Sequence, residues 1–262
     1  MRTLRAFAEA LLYVGLYAAI LTLASSYLYG SGSPPALREW LAANPNGLLL
    51  LVNPPVLLAY ALLLRLQRVG AAELGLGRPP RGWAAPALSG VWLGLFIASF
   101  TGLPLVREEL PAIAGLAGFV AGGSPLVFLL GSLLLGSLLE ELLFRGLLLR
   151  AFRRSFGLAA SVALQALLFG AVFLNVQTGL FAALGALVYG LLRAAGGSLW
   201  ISLGAHLLST ASVYAAALLL RGAPASLLLI LAAGSAAALA LHLALTLGGG
   251  RRAAAPRLEA RG

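Results

Sequence analysis

Apolar residues run along this chain in long stretches, at approximately 6–29, 47–66, 84–104, 125–149, 157–175, 178–193, 197–220 and 224–247. Short segments rich in Arg, Gly and Pro separate them. A helix needs about 20 consecutive apolar residues to cross the hydrocarbon core of a bilayer. The pattern therefore predicts an all-α, polytopic transmembrane bundle of about eight spans. The sixth stretch is the shortest, and 105–124 has room for an interfacial or re-entrant segment. The segment 67–83, with Pro79, Pro80 and several Gly, reads as a flexible loop, as does the Gly-, Ala- and Arg-rich tail after Gly248.

Composition strengthens this reading. The 262 residues are 61% hydrophobic and 10% charged, against about 25% charged in an ordinary globular domain. The net charge of +10 does not indicate a nucleic-acid partner, because the basic residues punctuate apolar stretches instead of clustering on one face. The expected partner is the lipid bilayer. With no Cys, disulfides, thiolate nucleophiles and Cys-ligated metals are excluded.

The first apolar stretch follows Arg2 and Arg5 and exceeds the 7–15 residues of a signal-peptide core, so it is expected to be retained as a span. Threading eight spans from a cytoplasmic amino terminus puts Arg2, Arg5, Arg65, Arg68, Arg78, Arg81, Arg150, Arg153, Arg154, Arg193 and four tail arginines inside. Only Arg38, Arg107 and Arg221 fall outside. That asymmetry follows the positive-inside rule and predicts an even number of spans with both termini cytoplasmic; the expected location is a bacterial plasma membrane.

The chemistry lies where charge interrupts the fourth stretch. Glu140, Glu141 and Arg145 sit among leucines, where a central charge costs about 2.5–3.5 kcal/mol on insertion scales and so faces a protein interior or a wet cavity. Glu141 and Arg145 are four residues apart, the spacing of a helical ion pair. Glu140 projects from a different face and is left without a local cation, as suits a general base. In the seventh stretch His206, Ser209 and Thr210 share one turn, and helical counting puts His206 at the depth of Glu140. Gln165 is a candidate for the same cavity. Asn175 and Gln177 read as boundary residues, and His242, with no polar companion, as structural.

The segment EELLFRG at 140–146 resembles the first motif of the CAAX protease and bacteriocin-processing (CPBP) family, the Abi or type II CAAX endopeptidase-like intramembrane proteases. That motif is two glutamates, three residues and an arginine, with phenylalanine before the arginine and glycine after it. The resemblance covers about 125–220. It leaves 1–124 as amino-terminal spans, about three, with their loops, and 221–262 as a last span with an Arg-rich cytoplasmic tail. The family's second motif, phenylalanine followed four residues later by histidine, reads Phe169 to Phe173 here. Its third, histidine followed four residues later by asparagine or aspartate, reads His206 to Thr210.

The resemblance implies a peptidase acting on a membrane-associated protein or peptide. Glu140 would be the base that activates water, Glu141 and Arg145 a positioning pair, and His206 with Thr210 the oxyanion side. It also implies a possible divalent metal, zinc in a metalloprotease-like site. Phe173 supplies no ligand, so Glu140 and His206 are the only candidates and a tightly bound zinc is not expected. Phe173 in place of histidine implies weakened hydrolysis, or a catalytically impaired scaffold or immunity-type protein of the same fold. A proton-coupled transporter using Glu140 and His206 as a relay is a third class, and the absence of an internal repeat counts against it.

Overall fold

The computed structural model describes residues 1–254, with side chains through Gly248. The described residues form helices and no strand. In chain order they are α1 (Arg2–Tyr29), α2 (Pro35–Ala43), α3 (Gly47–Leu66), α4 (Ala84–Gly102), α5 (Pro104–Glu109), α6 (Pro111–Ala121), α7 (Pro125–Arg153), α8 (Leu158–Ala171), α9 (Val176–Gly196), α10 (Leu199–Leu219) and α11 (Ala225–Ala254). Seven of these, α1, α3, α4, α7, α9, α10 and α11, are long and apolar enough to cross a membrane. The chain is an integral membrane protein with an all-α, polytopic fold.

The fifth stretch departs from expectation. Read as a span over 157–175, it forms a helix of 14 residues, or about 21 Å. The helix stops because Leu174 takes a left-handed conformation (φ 53°) and Asn175 caps α9 through its side-chain oxygen on the Thr178 amide. The sixth stretch gains what the fifth loses, and α9 runs 21 residues. At the hairpin Gly170 meets the Gly179 carbonyl so closely that a Cβ would clash with it. Segment 105–124 forms two short helices, α5 and α6, each started by a proline.

One hydrophobic core joins α1 and α3 to α7, with Tyr13, Tyr60, Phe144 and Phe152 fully buried in it. The Tyr60 hydroxyl donates to the Tyr13 carbonyl, and the Tyr13 hydroxyl to Gln67. Arginines gather at one end of the bundle. Arg154 bonds Glu9 of α1 at 2.7 Å, and Arg150 bonds Glu73 of the 67–83 loop at 2.6 Å. That loop docks on the start of α10, where the Leu199 amide donates to the Gly75 carbonyl and Trp200 Nε1 to that of Gly77. His242 of α11 bonds the Ala85 carbonyl beside the same loop. The start of α1 and the far part of α11 thus lie at the same arginine-rich end. The side chains of Arg251 and Arg252, and the tail with Arg257 and Arg261, lie outside the described residues.

Candidate active site

The site begins with a local anomaly in α7. Its backbone winds into wide π turns over Leu129–Gly136 and again over Glu141–Leu148, and Glu140 stands at the junction. Such turns are rare and concentrate at functional sites. Glu140 ends the short α-helical stretch Ser137–Glu140 and Glu141 opens the second π stretch. One imidazole reaches both.

Glu141 and Arg145 are completely buried, with Arg145 Nη1 3.0 Å from Glu141 Oε1. Nη2 donates to the Ala186 carbonyl of α9 at 3.0 Å. The guanidinium carbon lies 5.1 Å from the ring centres of both Phe169 and Tyr189. The cation is thus held by α7, α8 and α9 together. Gln165 does not face the cavity as expected. It is fully buried and its amide donates to the same Ala186 carbonyl at 3.1 Å, which makes it a helix-joining residue.

His206 lies between the two carboxylates. Its Nδ1 is 3.0 Å from Glu141 Oε1, and its Nε2 is 3.6 Å from Glu140 Oε2. A carboxylate paired with arginine only accepts, so Nδ1–H is assigned as the donor. In the neutral imidazole the Nε2 lone pair then faces Glu140. Tyr189 stacks on the ring with centres 4.5 Å apart and planes 16° apart. Arg145, Tyr189 and His206 form a layered stack that fixes the plane of the imidazole. Tyr189 was invisible in the sequence pattern, although a tyrosine inside an apolar span commonly seeks a polar partner.

Glu140 differs from its neighbour. Its side chain is 33% exposed, and it opens into a cavity of about 580 Å³ that His206, Ser209, Thr210 and Tyr189 also line. Phe96, Phe100 and Phe181, stacked in series, form an apolar wall together with Leu116 and Phe119 of α6. Phe173 stands in the same wall, 5.7 Å from Phe169. Asn175, spent on capping α9, borders a separate recess and does not replace a histidine at 173.

The donor set does not fit a catalytic zinc with three protein ligands. Glu141 is completely buried and does not line the cavity, and Phe173 carries no ligand atom, so Glu140 and His206 Nε2 are the carboxylate and imidazole donors that face it. Among the described residues no group of three or more His, Cys, Asp or Glu side chains could hold a metal ion.

Residues 122–212 match the family model described as Type II CAAX prenyl endopeptidase Rce1-like. The matched segment runs from just before α7 into α10 and contains Glu140, Glu141, Arg145, Phe173, His206 and Thr210. The match falls on the family that the first motif resembles and supports a CAAX-protease-like fold for this segment. No curated protein and no solved structure matches the chain.

Proposed function

We propose that this protein is an intramembrane endopeptidase that hydrolyses a membrane-associated peptide with a water activated between Glu140 and His206. The observation that carries this reading is the imidazole of His206, tied through Nδ1 to the buried Glu141 while Nε2 faces the partly exposed carboxylate of Glu140 3.6 Å away. A family relative would call on a histidine at position 173. Here His206 serves that side of the reaction instead.

In the reaction, a water donates one hydrogen bond to Glu140 and one to His206 Nε2. Glu140 takes a proton, and the hydroxide adds to the carbonyl carbon of the scissile bond. The carbonyl oxygen becomes an oxyanion, received by the Thr210 hydroxyl, whose residue lines the same cavity. The protonated Glu140 then delivers its proton to the leaving nitrogen, the C–N bond breaks, and a carboxylic acid and an amine result. The apolar wall suits a peptide segment drawn from the bilayer, and it keeps bulk water from weakening the electrostatics of the site. The positive-inside rule supports a cytoplasmic arginine-rich end with both termini on that side, in a bacterial plasma membrane on this reading.

The second reading is a scaffold or immunity-type protein of the same fold, favoured by Phe173, which fills a family acid/base position with a ring that neither accepts a proton nor binds a metal. The test is cleavage of fluorogenic membrane-associated peptides by the full chain in proteoliposomes. Glu140→Gln is expected to lower the rate by about 10² or more. Equal rates for that variant and the parent would remove the peptidase reading and leave the scaffold.

A further inference from the structure

At the end of the bundle opposite the arginine-rich one, a second cavity of about 490 Å³ opens between α4, α5, α6, α10 and α11. Its floor is made of small residues, among them Gly118 of α6 and Ala217 of α10, and two arginines border it, Arg107 of α5 and Arg221 just after α10. Both are exposed, and among the described residues neither forms a salt bridge or donates a side-chain hydrogen bond within the protein. The neighbouring acids Glu108 and Glu109 do not line the cavity. These are two of the three arginines the sequence places at this end, and they come from separate elements to one recess.

We infer that this recess binds a phosphate-centred anion, with an anionic phospholipid headgroup as its source. Two guanidinium groups on different walls match a tetrahedral anion, since each presents a planar fork of donors to phosphate oxygens. The lining leaves room for the anion, because a Cβ built on Gly118 meets nothing within 4 Å. The recess sits where α4 and α10 end and α11 begins, the level at which lipid headgroups meet spanning helices. The exposed Leu105 and Leu219 nearby are placed for acyl chains. One helix separates the recess from the candidate active site: α6 turns Leu116 and Phe119 to the first cavity and Ala114, Ala117, Gly118 and Ala121 to this one. A bound headgroup therefore buttresses α6, the wall of the large cavity, whatever chemistry that cavity performs.

The test is thermal unfolding of the full chain in a neutral detergent, with phosphatidylglycerol, phosphatidylcholine or inorganic phosphate added separately. Phosphatidylglycerol is expected to raise Tm by several degrees through binding to the folded state, and phosphatidylcholine is not. The rise should be lost in R107Q/R221Q, reduced in each single variant and in Gly118→Leu, whose side chain fills the recess, and kept in R78Q/R81Q, which removes the same charge at the other end. A rise with inorganic phosphate alone that also vanishes in R107Q/R221Q supports the anion site with free phosphate as its source. A phosphatidylglycerol shift that survives in R107Q, R221Q and Gly118→Leu overturns the assignment.

Discussion

A single imidazole carries the unusual burden in this site. His206 is oriented by Glu141, stacked on Tyr189 and aimed at Glu140, so its neighbours separate by role and by measurement. Glu141→Gln leaves Arg145 as an uncompensated buried cation, and losing one partner of a buried pair costs about 3–5 kcal/mol. We expect a markedly lowered Tm together with lost cleavage, both read on the same preparation. Tyr189→Phe keeps the ring against His206, whereas Tyr189→Leu removes it. The first variant should retain most of kcat and the second should lose about tenfold with little change in KM, as befits a residue that positions the imidazole. Phe173→His puts a proton acceptor into the cavity wall at the position where the family carries one. Its rate should rise by about 10-fold or more, within the range a general acid/base supplies, and a steady-state assay beside the parent chain decides it.

Helix contacts decide how firmly that histidine is held. Gly90 of α4 lies against the Ala205 carbonyl of α10, and Gly94 against that of Ser209, with no room for a Cβ in either place. Gly90→Val must push α10 outward beside His206. Overpacking costs typically 1–3 kcal/mol, so the variant should melt lower and cleave more slowly, as a thermal shift and a rate would both report. At the arginine-rich end Arg150 hydrogen-bonds Glu73 and holds its carboxyl below the usual carboxylate range, helped by the Gly70 amide. A carboxyl whose folded pKa is depressed contributes stability above its unfolded value, about 4.3, and that contribution disappears as pH falls through the folded value. Tm should therefore drop more between pH 5 and 3 in the parent than in Glu73→Gln, and only slightly, since the pair is half in solvent.

The same contacts explain what could be read in advance. Charges inside an apolar run are conspicuous, so Glu140, Glu141, Arg145 and His206 stood out at once, and the i, i+4 pair follows from helix geometry. Two features could not be counted along a straight helix: the contact of one histidine with both glutamates, and the left-handed Leu174 that ends α8 early. Tyr189 and the Phe96, Phe100 and Phe181 wall stayed hidden because an aromatic in an apolar stretch looks like any other lipid-facing or core residue. Gln165 looked like a cavity residue and is instead spent on the Ala186 carbonyl.

For the molecule as a whole, the alternation of helices returns the chain to the arginine-rich end at both extremes of the described residues, with α8 completing its traverse as a short helix and a turn. The absence of cysteine makes this directly testable by labelling. Arg78→Cys in the 67–83 loop and Ala223→Cys at the opposite end should react with a membrane-impermeant maleimide from opposite faces of sealed vesicles, the first from the cytoplasmic face. Labelling of both from one face would contradict the layout. The central claim, that Glu140 and His206 hold one water between them, is tested most directly by a double-mutant cycle on cleavage rate. Residues acting on the same water lose their effect together, so Glu140→Gln, His206→Gln and the double variant should be slowed by nearly the same factor, about 10² or more. Fold-losses that multiply in the double variant, or no loss in either single variant, would contradict the shared water.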